Sequence, residues 1–296
     1  QELRFGRLSY DVPVGTDGIR IGTTASYSEV WPDDARRLID TRTVNQTYEL
    51  RGSIAPIETR QTSLTLTAAF GFTDEFEKDT FGTTYNDHIR TVRLLANYRL
   101  QDQLDGSNYF SVGLRQGVSA LGATQSGDPF SSRDGASPNF SVLDFSYIRY
   151  QKLSDAWSIK TSVSGQLGSG PLYSSQAFYL GGAAFGPGYY SGDDGIAGLA
   201  ELRFDKSVES AFIKSYQLYG FVDGGQVWNR DEPKQSLSSI GVGVRLRLID
   251  ELHAGIAIAA PLTYTSRMDE FRQSRILFSL SNTFKFCPDR AQMRCF

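Results

Sequence analysis

The sequence predicts an all-β fold: a transmembrane antiparallel β-barrel. Three observations lead there. Apolar and polar residues alternate with a period of two along most of the chain, in about thirteen runs near the length a tilted strand needs to cross a bilayer. No apolar stretch reaches the roughly eighteen residues that a membrane-spanning helix requires. The connections between the runs alternate between short and long, the pattern of a barrel with short periplasmic turns and long outer loops.

The alternation is clearest from Ile240 to Leu248. Ile240, Val242, Val244, Leu246 and Leu248 share one face, and Gly241, Gly243, Arg245 and Arg247 share the other. A single run of this kind would fit a soluble sandwich equally well; its repetition is what discriminates. Val92, Leu94, Ala96 and Tyr98 oppose Arg93, Asn97 and Arg99. Phe110, Val112 and Leu114 oppose Ser111, Gly113 and Arg115, while Trp157, Ile159 and Val163 oppose Ser158, Lys160, Ser162 and Ser164. Aromatic strand ends and inward arginines suit a polar lumen. Backbone in lipid is satisfied only in helices or closed barrels, so spanning strands must close.

Short connections fall at Asp11–Asp17, Ala55–Gln61, Gln101–Ser107, Lys152–Asp155 and Ile249–Glu251, with Lys206–Lys214 a longer member of the same set. Long ones fall at Glu29–Thr41, Thr73–Asp87, Ser119–Pro138, Leu167–Ile196 and Leu262–Gln273, rich in Gly, Ser, Thr and Asp. In this frame the runs Glu2–Tyr10 and Arg275–Phe286 both head toward the periplasm and cannot pair antiparallel. Bacterial barrels carry an even number of strands, so the expectation is a barrel over residues 1–286 with at least one strand, and any periplasmic domains, missing upstream.

The segment Phe178–Arg203 stands apart. Glycines at 181, 182, 186, 188, 192 and 195 sit among aromatics, a mixture that suits positive-φ turns and close backbone approach. It reads as a poor hairpin and an equally poor helix, hence as a long loop of fixed internal shape. The net charge of −3 and the lack of a basic patch exclude nucleic-acid binding. With His88 and His253 the only histidines, a metal site has no support; Asp193-Asp194 reads as a solvated turn rather than a Ca²⁺ site. Cys287 and Cys295 lie in a tail, residues 287–296, beyond the last strand. A disulfide stapling that small loop suits an oxidising compartment; two free thiols are the alternative.

The stretches Phe178-Tyr-Leu-Gly-Gly, Phe185-Gly-Pro-Gly-Tyr-Tyr-Ser-Gly-Asp-Asp-Gly, Leu199-Ala-Glu-Leu-Arg and Tyr219-Gly-Phe-Val-Asp-Gly-Gly resemble the C-terminal barrel of two-partner secretion transporters. These are the TpsB, or hemolysin activation/secretion, proteins, relatives of the barrel-assembly insertases. The Arg4-Phe-Gly start, the Val12-Pro-Val-Gly turn and the strand ending at Phe286 match as well, so the resemblance covers nearly the whole chain. It implies a barrel of about sixteen strands behind periplasmic domains and a plug helix. It also implies that the long loop folds back into the lumen and that its tip carries an arginine paired with the aspartate of a Phe-x-Asp motif on the wall.

Here the wall motif is present as Phe221-Val-Asp223, with Glu201 and Arg203 at lumen parity on the preceding strand. The tip departs: Phe185, Gly186, Pro187, Gly188 and Tyr189 place a proline where the arginine is expected, followed by Tyr190, Gly192 and Asp193. Asp223 unpaired in the lumen would be costly, so either Arg203 is its substitute partner or the lock is absent and the loop is held by its Gly/Tyr shape alone. The lumen arginines Arg93, Arg99, Arg115, Arg245 and Arg247 form either a basic pathway or pairs with Glu49 and other lumen acids.

No nucleophile-elbow serine and no Gly-x-x-x-x-Gly-Lys loop is found, so neither an enzyme nor a nucleotide-driven motor is expected, and no cofactor. The resemblance implies a bacterial outer-membrane transporter that conducts an unfolded partner protein to the cell surface, in contact with outer-membrane lipid. The rival readings are an accessory barrel that has lost secretion and anchors an assembly with another outer-membrane or periplasmic protein, and an insertase for outer-membrane proteins.

Overall fold

The computed structural model describes residues 3–32, 35–208, 210, 212–230, 232–248, 252–263 and 274–282. Cys287 and Cys295, with the staple expected between them, lie outside the described residues.

Thirteen strands form one antiparallel sheet in chain order. They are β1 (Leu3–Val14), β2 (Ile19–Val30), β3 (Arg42–Glu58), β4 (Thr62–Asp79), β5 (Gly82–Gln101), β6 (Gly106–Gly117), β7 (Ser141–Lys152) and β8 (Trp157–Gly168). A two-stranded sheet of β9 (Phe178–Gly182) and β10 (Gly186–Gly192) interrupts the order. The wall resumes with β11 (Asp194–Ser207), β12 (Ser215–Trp228), β13 (Gln235–Arg247), β14 (Leu252–Pro261) and β15 (Arg275–Asn282). No helix among the described residues is long and apolar enough to cross a membrane. Strand order and alternation thus agree with the sequence reading. As expected from strand parity, β1 and β15 run the same way, and among the described residues each has a single partner, β2 and β14 respectively.

Register explains the alternation. Val222 of β12 lies between Ala200 of β11 and Ile240 of β13, and Gly220 between Leu202 and Val242, so the apolar residues of adjacent strands align into one continuous band. Val222, Ile240, Val242 and Leu202 are all exposed, which is unfavourable in water and suits hydrocarbon. The opposite parity carries Glu201, Arg203, Tyr219, Phe221, Asp223 and Arg245 to the inner face. A one-residue slip would put these charges in lipid, so the pattern strongly specifies register.

One expectation is corrected. Thr73–Asp87 is not a loop: β4 runs to Asp79 and β5 starts at Gly82, closing a tight turn in which Asp79 accepts the N–H groups of Phe81 (2.7 Å) and Gly82 (3.1 Å). Strands β3, β4 and β5 have 17, 18 and 20 residues, against 12 for β6 to β8. Crossing takes about 9–11, so the excess carries these strands roughly 20–30 Å beyond the bilayer on the long-loop side. Polar sequence misled here because these extensions meet no lipid: Glu75 and Asp87 are buried against polar partners, so no apolar stripe advertises the strands.

Candidate functional site

The loop between β8 and β11, residues 169–193, turns inward, and the elements that hold it can be followed from its root to its tip. At the root, entry and exit are tied together. Asp194 accepts the Gly168 N–H at 2.7 Å, and Gln166 donates to the carbonyls of Gln176 (3.0 Å) and Asp193 (3.1 Å). Asp193 is 4% exposed; its carboxylate pairs with Arg133 and accepts the Leu172 N–H at 2.9 Å, and its own N–H donates to Asn229 at 2.9 Å. Asp193 is therefore not a solvated turn residue: Arg133, far away in sequence, supplies the compensating charge.

Beyond the root the chain forms a hairpin, where sequence suggested an irregular loop. β9 and β10 pair Phe178 with Gly192, Tyr179 with Ser191, Leu180 with Tyr190 and Gly182 with Gly186, with an irregularity between Gly186 and Tyr190. The turn is Ala183–Phe185, closed by the Phe185 N–H on the Gly182 carbonyl at 3.1 Å, and Pro187 falls within β10. Gly186 (φ 86°) and Gly188 (φ 65°) hold the left-handed conformations that let the strand start so abruptly. The hairpin packs on the inner face of the wall. Leu180 is buried against Val227 and Leu237, flanked by Phe178, Phe185, Tyr189 and Tyr190. Ala184 is buried against Phe221 and Ala259.

Wall glycines make room for this packing. A Cβ on Gly225 would fall 2.5 Å from the Leu180 side chain, and one on Gly241 would fall 2.4 Å from the Phe221 ring. Phe221 and Gly241 are register partners, as are Tyr219 and Gly243, so each ring lies across a strand that has no side chain there. Phe221 and Tyr219 stack at 6.0 Å, which presents a flat apolar floor to the hairpin turn.

Asp223 meets the hairpin directly. Its Oδ2 accepts the Ala183 N–H at 3.2 Å and its Oδ1 accepts the Ser239 hydroxyl at 2.5 Å. Gly182 admits it, since a Cβ there would lie 2.9 Å from Oδ1. Opposite, the Arg275 guanidinium closes on Gly186, where a Cβ would lie 2.6 Å from Nη1. The two glycines of the closing pair thus face one wall acid and one wall base.

The expected pairing of Arg203 with Asp223 is not made. Register sets Asp223 opposite Leu199, and Arg203 opposite Tyr219, four residues along the strand. Arg203 instead donates to Glu201 and lies 5.4 Å from the centre of the Tyr150 ring. Glu201, 4% exposed, also receives both Arg245 Nη atoms at 2.8 and 3.0 Å, and the Arg245 guanidinium covers Tyr219 at 3.7 Å. Asp223 and the Glu201 cluster are thus separate. Other lumen arginines are paired as well: Arg93 with Asp144 (3.0 Å), Arg99 with Glu58 (3.9 Å), and Arg51 with Asp11 and Glu49. Arg115 donates to Gln166 at 3.3 Å. A continuous unpaired basic track is not what these residues form.

Sequence reasoning missed Arg133, Ser239 and Arg275. Ser239 was recoverable, since aligning the two apolar runs sets it opposite Asp223. Arg133 and Arg275 carried no signal, because neither belongs to a pattern that distinguishes it from a solvated charge.

An antiparallel sheet with an apolar outer band, a charged inner face and a hairpin folded against that inner face is the wall of an outer-membrane β-barrel with an internal loop. Residues 5–247 match the Haemolysin secretion/activation protein ShlB/FhaC/HecB family, and the chain belongs to that family. No curated protein matches it in sequence. Among solved structures it is similar to CdiB from Escherichia coli, with a TM-score of 0.80 at 16% identity over 95% of this chain and 53% of that one. CdiB from Acinetobacter baumannii gives 0.72 at 16% identity over 95% and 50%. BamA from Haemophilus ducreyi lacking POTRA domains 1–3 gives 0.63 at 14% identity over 95% and 62%. The chain spans about half the length of the CdiB chains it matches. Membership places it in the bacterial outer membrane and in a family of secretion proteins rather than enzymes.

Proposed function

We propose that this chain is the barrel of an outer-membrane transporter that conducts an unfolded partner protein from the periplasm to the cell surface, with the β9–β10 hairpin as its movable obstruction. One observation carries the reading: the tip of an inward loop is fastened by Ala183 on Asp223 beside a small apolar contact. A hydrogen bond to a charged group contributes about 1.5–3 kcal/mol, few enough for a passing chain to replace. Unfolded polypeptide offers many backbone N–H groups, and the Asp223 carboxylate and paired lumen charges can exchange partners with them. No nucleotide loop is present, so the free energy for export comes from folding of the partner outside.

Single-channel recording of the full-length protein in planar bilayers tests this, comparing wild type with Asp223→Ala. The expected wild-type trace is a mostly closed channel with brief openings. In Asp223→Ala the open fraction should rise about tenfold or more, as loss of 1.5–3 kcal/mol implies. A barrel silent in both forms would reject conduction and favour an anchoring role in a membrane assembly.

A further inference from the structure

The loop between β6 and β7, residues 118–140, is a second structure outside the membrane that the transport reading leaves without a role. It does not hang free. The Val118 N–H donates to the Arg90 carbonyl (2.9 Å), the Thr124 N–H donates to the His88 carbonyl (2.9 Å) while its hydroxyl accepts the His88 N–H (2.7 Å), and the Asn86 N–H donates to the Phe130 carbonyl (2.7 Å). These contacts sew the loop to the edge of β5 where that strand rises above the bilayer. Asp87, fully buried, accepts the Ser132 N–H at 3.1 Å and completes the seam.

The sewn loop then grips the root of the inward loop. The Tyr173 hydroxyl donates to the Thr124 carbonyl at 2.6 Å and the Ser174 N–H to the Ser132 hydroxyl at 3.0 Å. Ile89, Ala136, Phe140, Val142, Leu172 and Tyr173 form a closed apolar cluster, each 2% exposed or less. Among the described residues the charge contact across this junction is Arg133 on Asp193, at the point where the hairpin returns to the wall.

We infer that Arg133 is a positioning residue for transport: it fixes the root of the inward loop at the outer rim and confines movement to the hairpin Phe178–Gly192. This rests on the transport reading above. The physical reason is the asymmetry of removing one partner of a buried pair, which leaves Asp193 charged among Leu172, Gln166 and Asn229 with no cation to balance it. With Arg133 in place the root stays still while the tip exchanges partners. Without it the whole loop, 169–193, loosens as a unit.

Hydrogen exchange on the full-length protein in nanodiscs reads this independently of conduction, so a failure here is distinguishable from a failure of the transport reading. Arg133→Ala is expected to speed exchange of the Leu172 and Ser174 amides at least about tenfold, because their acceptors lose their fixed positions. Arg133→Lys, which keeps the charge, should restore most of the protection; a purely steric role would not be rescued this way. Asp193→Asn retains an acceptor for Leu172 yet loses the charge, and should fall between. Should Arg133→Ala fail to assemble, Arg133→Gln is read in its place. Root amides within about twofold of wild type in the charge-free variants, or Arg133→Lys as fast as Arg133→Ala, would overturn the inference.

Discussion

At its root the inward loop is enclosed by an apolar cluster of fully buried side chains, a buried ion pair and the hydrogen bonds of Tyr173 and Ser174 to a second loop. At its tip, twenty residues away at most, it meets the wall through one N–H on Asp223, an arginine against a glycine, two alanines beside Phe221 and the small cluster of Leu180 on Val227 and Leu237. The same loop is thus sealed at one end by fully buried packing sewn to a second loop, and held at the other by two small apolar clusters and a few polar contacts on the wall. A movable obstruction needs both: a fixed pivot, so that it returns, and a weak distal hold, so that it leaves. Glycines mark the weak end. Small residues let the wall charges approach the hairpin backbone, and they also limit the apolar area that the tip can bury.

The largest effect should come from emptying the pivot. Tyr173→Ala removes a fully buried ring and its hydroxyl bond to Thr124, and large aromatic truncations cost about 3–5 kcal/mol. The expected result is rapid exchange across both 118–140 and 169–176, with cleavage by added protease in the outer loops of intact cells. If Tyr173→Ala leaves those loops protected, the pivot is not where the structure places the packing.

A smaller effect belongs to the tip. Gly186→Ala forces a side chain into a left-handed backbone at φ 86° and into the Arg275 guanidinium. The backbone penalty alone is about 1–2 kcal/mol, enough for roughly a tenfold gain in open fraction with no change in root exchange. Adding Arg275→Ala should recover the steric part and leave the backbone part. Full recovery would mean that conformation at Gly186 is not strained, and no recovery would mean that Arg275 does not grip the turn.

The contrast between the two ends also explains what was legible in the sequence. Wall strands show themselves by alternation because one face meets lipid, and Val222, Ile240 and Val242 could not sit elsewhere. The site strand was legible from Phe221 and Asp223, whose parity assigns them to the lumen. The hairpin was not, because its strands pair over only a few residues and carry five glycines, Gly181, Gly182, Gly186, Gly188 and Gly192, in a segment whose regularity comes from the wall it lies on. The tall extension of β3 to β5 was read as loop for a related reason. Glu75 is buried there beside Asn45 and Tyr85 of the neighbouring strands and Asp87 beside Ser132 of the β6–β7 loop, not by lipid or a core stripe, and no local pattern records that. Long-range charge partners such as Arg133 and Asp193, 60 positions apart, leave no trace in either sequence neighbourhood.

The smallest expected effect lies beside the pivot and sharpens its chemistry. Burial raises the Asp87 carboxyl above its ordinary value of 3.8, opposed by hydrogen bonding from Ser132 and reinforced by the charge of Asp128. Burial likewise raises Glu75 above 4.5, against the hydrogen bonds from Tyr85 (2.8 Å) and Asn45 (2.5 Å), with the charges of Asp87 and Glu77 adding to the rise. A raised folded-state value means that the closed arrangement holds a proton which the opened one releases. The stabilisation is complete below the ordinary carboxyl range and is lost as pH rises through the raised values. Protection of the Ser132 amide should therefore fall on going from mildly acidic to neutral pH. Asp87→Asn keeps an acceptor for that amide and removes the charge on Oδ2, which meets no donor among the described residues. Its exchange at neutral pH should be slower than wild type by a few-fold, with a flatter pH profile in which the remaining slope belongs to Glu75. An Asp87→Asn profile as steep as wild type would transfer the whole dependence to Glu75 and its partners Tyr85 and Asn45.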